Sequence, residues 1–264
     1  MKKGLIVYNQ IDRNKNEWLI ERCLKELNND NFSLCYKEEN ETLSYVKQNK
    51  VDFVIFRARN YKLIEELESL GIRVFNNSQT NKTANDKYQS YLFCKMNNLP
   101  CIETFKESRF TNDSLFIMKS VDGHGGQEVY LVKNKEDDKK IIENTHKTFV
   151  YQRFIDNAVD VRLYVLNKQV IGAVKRENSG DFRSNYSLGG NVSSFEPSQD
   201  MKELAIKTAT LLNSDYIGVD FIINDKVCLI NEIEDPVGAR MLYKTSNVDI
   251  VSLFIQHIKD IMSN

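Results

Sequence analysis

Two strand-length apolar runs near the end of the chain, residues 216–223 and 227–234, carry carboxylates where a packed strand would hold apolar side chains: Asp220 in the first, Glu232 and Glu234 in the second. Successive strand residues face opposite sides, so Glu232 and Glu234 share a face. Asn224-Asp225-Lys226 between the runs is a turn-forming cluster. A turn over 224–226 pairs Ile223 with Val227 and Asp220 with Ile230, which brings all three acids to one face; a slip of one residue would reverse every side chain. Three unpaired anions so placed repel one another and lose hydration, at a cost of several kcal/mol each. A divalent cation removes the conflict, and an all-oxygen ligand set favours Mg²⁺ or Mn²⁺ over zinc. The alternative is an exposed strand face whose acids sit in water.

The 264 residues suffice for one large domain or a few small ones, with a real core. Lys and Arg number 36 against 37 Asp and Glu, a net charge of −1, so no global basic field draws the chain to nucleic acid, and any affinity for phosphate is local. The apolar run after Met1-Lys2-Lys3 is too short for a signal segment, and no later run is long enough to span a bilayer; a cytoplasmic protein without membrane contact is expected. The 5 cysteines form no Cys-x-x-Cys pair, which argues against zinc and against a disulfide framework.

Apolar runs of strand length alternate with segments of helical period, the mark of an α/β chain. Strands at 4–8, 51–56 and 72–75 with helices at 15–28 and 61–70 predict a small, mostly parallel layer ending near residue 78. A helix over 81–97, stopped by Pro100, opens a second unit with strands 115–119 and 127–132 and a helix over 135–145. A third unit holds strand 149–155, a hairpin at 160–166 and 169–175, a long loop to 197, a helix over 199–213, the two acidic strands and a closing helix over 248–262. The division reads 1–78, 79–150 and 151–264.

Two loops suit an anionic ligand. Lys119 ends an apolar strand and Asp122-Gly123-His124-Gly125-Gly126 follows, so the amides of a flexible turn and a lysine could cradle phosphate. It is not a Walker loop, since no Gly-Lys-Ser/Thr follows and the next element is a strand; a plain glycine-rich turn is the alternative. Downstream, Arg176 ends a hairpin strand, and Asp181-Phe182-Arg183-Ser184-Asn185 leads to Gly189-Gly190. Two guanidiniums and an amide there suit bidentate contact with phosphate and with a developing oxyanion, against the alternative of a solvated loop.

In this order, the strand lysine and glycine loop, Lys175-Arg176, Gly180 to Asn185, Gly189-Gly190, then Gly218-Val219-Asp220 and Glu232-Ile233-Glu234 resemble the RimK-like branch of the ATP-grasp ligases. The likeness runs from roughly residue 71 to 250 and is dense from 160 to 236. It implies an ATP-grasp fold of mixed α/β (α+β) class: an N-terminal α/β domain, a central lid and a C-terminal domain, with ATP between two antiparallel sheets. It implies ATP and two Mg²⁺ (or Mn²⁺) ions as cofactors. By position, Lys87 and Lys119 would contact phosphates under the loop of Gly123, Gly125 and Gly126. Gln152, Arg153 and Phe154 match the hinge whose backbone meets adenine, Asp160 would lie near the ribose, and Arg183, Ser184 and Asn185 match a nucleotide-contacting triplet. Arg176 and Arg183 would stabilise the acyl-phosphate and its adduct, and Asp220, Glu232 and Glu234 would hold the metals.

The implied activity is amide or peptide bond formation by an ATP-dependent carboxylate-amine ligase, through an acyl-phosphate, on an amino acid, a peptide or a protein tail. The resemblance leaves room for a homo-oligomer, dimers and tetramers being frequent in the family. The alternatives are a non-catalytic ATP-binding sensor or scaffold, and an ATP-grasp kinase that releases a phosphorylated product. The family commonly ends its metal motif Glu-x-Asn, then small polar residues and Pro-Gly, whereas Glu232-Ile233-Glu234 leads here into Asp235-Pro236-Val237-Gly238. Substrate identity therefore does not transfer, and Asp235 to Arg240 is expected to face the substrate. Trp18, at helical spacing with Leu19, Cys23 and Leu27, reads as core. His146 and His257 read as surface or helix residues, Asp86-Lys87 by pattern alone as solvated helix surface, and 133–140 as a solvated helix start.

Overall fold

The computed structural model describes residues 1–107, 115–126, 128–177 and 191–263. Four strands, β1 (Lys2–Tyr8), β2 (Phe32–Glu38), β3 (Phe53–Phe56) and β4 (Arg73–Phe75), form a parallel sheet in the order β2-β1-β3-β4. Parallel neighbours need crossovers, supplied by α1 (Gln10–Lys15) with α2 (Glu17–Leu27), by α3 (Glu39–Gln48) and by α4 (Tyr61–Ser69). Helices cover both faces, so β1 and β3 are apolar on both. One face packs on α2 and on the last helix of the chain, α10 (Ile250–Ser263); the other packs on α4 with side chains of α3. The sequence reading did not anticipate β2 and α3. Only alternate residues of the β2 edge strand are deeply buried, and α3 buries Thr42 alone, so neither has a strong apolar period.

The helix expected over 81–97 is two, α5 (Ser78–Ala84) and α6 (Lys87–Met96). The Asp86 carboxylate accepts from the amides of Tyr88 and Gln89 and so caps a new helix. A middle antiparallel sheet follows in the order β5-β8-β6-β7, from β5 (Thr104–Phe105), β6 (Phe116–Ser120), β7 (Val129–Val132) and β8 (Phe149–Arg153), with α7 (Lys135–Thr145) against it. Because β8 pairs with β5 and β6, the chain leaves this sheet after Arg153, not at Phe149.

The last sheet, β11-β10-β9-β12-β13, is antiparallel throughout: β9 (Val159–Leu166), β10 (Gln169–Glu177), β11 (Asn191–Ser194), β12 (Tyr216–Ile223) and β13 (Cys228–Glu234). Asn167 and Lys168, at φ 47° and 59°, make the tight β9–β10 turn, whose twist matches the strands. Period-two alternation splits the faces. Val161, Leu163, Val165, Ala173, Val219 and Phe221 pack on α8 (Gln199–Leu212), while residues one step along face the other way. Phe221 is fully buried, so Phe221→Ala would cost about 3–5 kcal/mol. A short α9 (Arg240–Thr245) precedes α10.

Two bland readings are corrected. Trp18 is 37% exposed, edge-on to Tyr243, because the buried stripe of α2 runs through Ile20, Cys23 and Leu27. His257 is buried, with Nε2 2.8 Å from an Asp215 carboxylate that also pairs with Arg73, where α10 meets the first sheet. Among the described residues, no helix is long and apolar enough to cross a membrane.

Candidate active site

The acid-bearing strands meet as expected on one face, but by a different register. Ile223 pairs with Cys228, not Val227, across a turn closed by the Asn224 amide donating to the Val227 carbonyl. Continued unchanged, that register would set Asp220 opposite Asn231 and turn both glutamates away. A bulge intervenes: Phe221 pairs with Ile230, and the next pair is Asp220 with Glu232. The extra residue, Asn231, restores the face, as bulges do beside functional sites. Carboxylate oxygens of Asp220, Glu232 and Glu234 lie within 4.8 Å of one another.

Neighbouring strands extend the charged face. Arg162 of β9 stands opposite Asp220, and Arg176 of β10 opposite Asp160. Arg162 donates to both Asp220 oxygens, at 2.6 and 2.7 Å, and to Glu234 at 2.7 Å. Arg176 joins Asp160, at 2.5 Å, to Asp220, at 2.6 Å. These are charge-assisted bonds among buried groups, where a lone ion would be costly. Burial alone would raise the Asp220 pKa, but the two guanidiniums outweigh it and hold the carboxyl down to about 2. At Asp160 burial prevails over Arg176 and the pKa is raised.

Across a cavity of about 350 Å³ stands the middle sheet. Lys119 of β6 points from it toward the acids and donates to Asn231 Oδ1 at 2.7 Å, so the bulged residue ties the two walls together. Burial pushes the Lys119 ammonium down to about 8; Glu232 resists that fall and Lys87 adds to it. Lys87, the first residue of α6, is only 11% exposed: it pairs with Glu232 at 3.0 Å and donates to the Gly123 carbonyl. It thus lines the cavity and is not solvated surface, because the Asp86 cap starts a helix there. Gly125 and Gly126 take φ of 69° and 75°. A Cβ at Gly123 would come within 2.8 Å of a Glu128 oxygen.

Gln152, Arg153, Phe154 and Asp160 line the same cavity with Arg176, Lys87, Lys119 and the three acids. The Phe154 amide, however, donates to the Leu115 carbonyl at 3.0 Å; Ile155 lines the cavity too, and its amide has no partner among the described residues. Arg183, Ser184 and Asn185 lie outside the described residues. The sequence reading missed Arg162 and Asn231. Arg162 was signalled by alternation, two residues from Asp160 on one strand. Asn231 was not, because without a bulge it belongs to the opposite face.

The donor set suits a hard divalent cation beside an anion: three carboxylates on one wall, and two lysines on the other of which one is buried. The loop after β13 is held by the lobe of the first sheet and by α5 with its C-terminal Asn85. The Asp235 carboxylate accepts from Asn76 and Asn81, each at 2.8 Å, its carbonyl accepts from Asn85 at 2.7 Å, and the Val237 carbonyl accepts from buried Arg57 at 2.6 Å. The expectation that this segment meets substrate therefore does not extend to Asp235, whose carboxylate is buried and bonded.

The RimK-like ATP-grasp domain is matched over residues 102–258, more than half of the chain. An uncharacterized protein of Mycoplasma pneumoniae, the MG011 homolog, is 29% identical over 92% of this chain and 87% of its own length. A probable alpha-L-glutamate ligase of Haemophilus influenzae is 27% identical over 90% of this chain and 87% of its own. Among solved structures, D-alanine–D-alanine ligase of Bacillus anthracis superposes with a TM-score of 0.76 at 14% identity, over 98% of this chain and 96% of that one. That likeness is one of fold, and the fold is ATP-grasp.

Proposed function

Because the chain belongs to the RimK-like ATP-grasp family and is an ATP-dependent ligase of that class, we propose that it joins the carboxylate of one substrate to the amine of another by way of an acyl-phosphate. The observation that carries this reading is the pairing of an acidic strand edge with a buried lysine across one cavity. Lys119 and Lys87 hold the nucleotide phosphates, assisted by amides of the 123–126 loop, and the segment from Gln152 to Ile155 holds the adenine by its main chain. Asp160 lies toward the ribose. Asp220, Glu232 and Glu234 bind Mg²⁺ or Mn²⁺, two ions in all, which supply charge neutralisation at the phosphates.

In the first step a substrate carboxylate oxygen attacks the γ-phosphorus and ADP leaves. In the second the amine attacks the acyl carbon, phosphate leaves, and the amine proton passes to solvent. The protein's part is positioning and electrostatics, and no side chain need act as nucleophile. Arg176, already aimed at this wall, stabilises charge on the adduct, with Arg183 as a second candidate. The name of the Haemophilus relative supports an amino acid as one substrate and puts L-glutamate first on a panel. Action in the cytoplasm, where ATP is plentiful, fits this reading.

The test is ADP release with ATP, Mg²⁺ and pairs drawn from L-glutamate, other amino acids and short peptides, with mass spectrometry of the products. ADP that forms only when an acyl donor and an amine are both present, with a condensed product, supports ligation. A stable phosphorylated product from one substrate would replace it with a kinase, and nucleotide binding with no turnover on any pair would replace it with a sensor.

A further inference from the structure

Beside the cavity, in the segment after β3, stands a cationic side chain that the proposed nucleotide and metal contacts leave unused. Arg59 follows β3 and lines a recess with Lys87, Gly123, His124, Glu232 and Glu234, the last five of which also line the main cavity. The backbone that carries it is fixed on three sides. The Arg57 amide donates to the Val7 carbonyl at 2.9 Å, the Arg57 guanidinium to the Val237 carbonyl at 2.6 Å, and Asn81 to the Ala58 carbonyl at 3.0 Å. The side chain is fixed too: Nη1 donates to Asp12 Oδ2 at 3.0 Å, and Asn9 holds that same oxygen at 2.9 Å.

This leaves Nε and Nη2 of Arg59 without a partner among the described residues, although the side chain is only 27% exposed. A guanidinium presents five donors in a planar fork that matches a carboxylate in bidentate fashion. Of the other charged groups of the recess, Lys87 pairs with Glu232 and Glu234 with Arg162, while the Asp122 carboxylate accepts from Ser120 and the Asp235 carboxylate from Asn76 and Asn81. Burial and the adjacent Arg59 keep His124 below its usual pKa.

We infer that Arg59 binds a substrate carboxylate that takes no part in the reaction. The recess therefore takes a substrate with an acid group to spare, an acidic amino acid or a peptide C-terminus, entering between the first lobe and the metal-binding edge. The inference rests on the ligase reading, because that reading puts the reacting carbonyl beside the same edge. Asp12 is a positioning residue that turns the free side of the fork toward the recess.

The experiment measures binding of L-glutamate, L-aspartate and triglycine, and of their carboxamide counterparts, by calorimetry on protein saturated with AMPPNP and Mg²⁺. Wild-type protein is expected to prefer at least one carboxylate form over its amide by about tenfold or more, the scale of a charge-assisted pair. Arg59→Gln should bring that ratio to about one, while Arg59→Lys, which keeps the charge and loses the fork, falls between them. The AMPPNP affinity and the unliganded melting temperature of both variants, expected unchanged, show that they are folded. An Arg59→Gln protein that keeps the wild-type ratio, or a wild type with no preference for any acid over its amide, overturns the assignment. Failure of the wild type to bind AMPPNP with Mg²⁺ overturns instead the ligase reading on which it rests.

Discussion

The two walls of the cavity solve the problem of buried charge in opposite ways. On the last sheet every buried ion already has a counter-ion: Asp220 has Arg162 and Arg176, Asp160 has Arg176, and Glu234 has Arg162. On the middle sheet Lys119 has, among the described residues, the neutral Asn231 amide alone in direct contact, and its depressed pKa records the cost. A wall that is electrically complete can stay folded with or without ligand; a wall with one uncompensated cation favours the arrival of an anion. The site is thus preorganised on one side and poised on the other.

The sharpest way to break this contrast is to remove the bulge. Deleting Asn231 leaves Phe221 opposite Ile230 and brings Glu232 opposite Asp220 in an unbroken ladder, so the acids keep their face while the bend of the strand and the Lys119–Asn231 tie between the walls are lost. Turnover should vanish with that tie, while Mn²⁺ binding followed by electron paramagnetic resonance should persist. Loss of Mn²⁺ binding as well would show that the bulge sets the geometry of the ligands and not only their face. Glu232→Ala tests the same edge more gently. We expect roughly a thousandfold less ADP release, the scale lost when a charge-neutralising group leaves a phosphoryl-transfer site. Its melting temperature should fall by no more than about 4 °C, since this half-buried carboxylate supports no core packing.

Arg162→Met probes the completed wall. It strands Asp220 and Glu234, so stability in denaturant titration should drop by about 3–5 kcal/mol, and Asp220→Leu in the same chain should recover much of it. A loss under about 1 kcal/mol would mean that the wall does not need its counter-ions.

The smallest effect is a pH dependence on the poised wall. Free Lys119 has its pKa at about 8, against an ordinary 10.5, and neighbouring phosphates should raise it. Its contribution to nucleotide affinity is then complete below pH 8 and is lost as pH climbs through the higher pKa of the complex, by at most about tenfold per pH unit. Calorimetry at pH 8.5 in buffers of different ionisation heat should register proton uptake on AMPPNP binding, absent in Lys119→Met. Equal uptake in that variant would assign the proton elsewhere.

Much of this was legible in the sequence because the relevant signals are local. Alternation marked β9, β10, β12 and β13 and the three acids between apolar neighbours, and the glycine loop stood out beside Lys119. Illegible were the features created by pairing across distance. The shared face followed correctly from the wrong register, because a shorter turn and a bulge have the same parity. By pattern alone Lys87 read as surface, because a helix start looks like a helix middle until the Asp86 cap is seen, and the family resemblance was what set it among the phosphate contacts. Asp235 and His257 read as a loop and a surface helix, since their partners, Asn76 and Asn81 for the one and Asp215 and Phe75 for the other, lie 42 or more residues away.

The bonds from Arg57, Asn76, Asn81 and Asn85 to the loop just past Glu234 also bear on how such chains can diversify. They tie the lobe of the first sheet and α5 to the metal-binding edge, with Arg59 two residues past Arg57 of the clamp. Exchange of that lobe between relatives would retune what is recognised without disturbing how it is activated, provided the clamp residues travel together. On the proposed roles, recognition would then sit on one part of the chain and the chemistry on another.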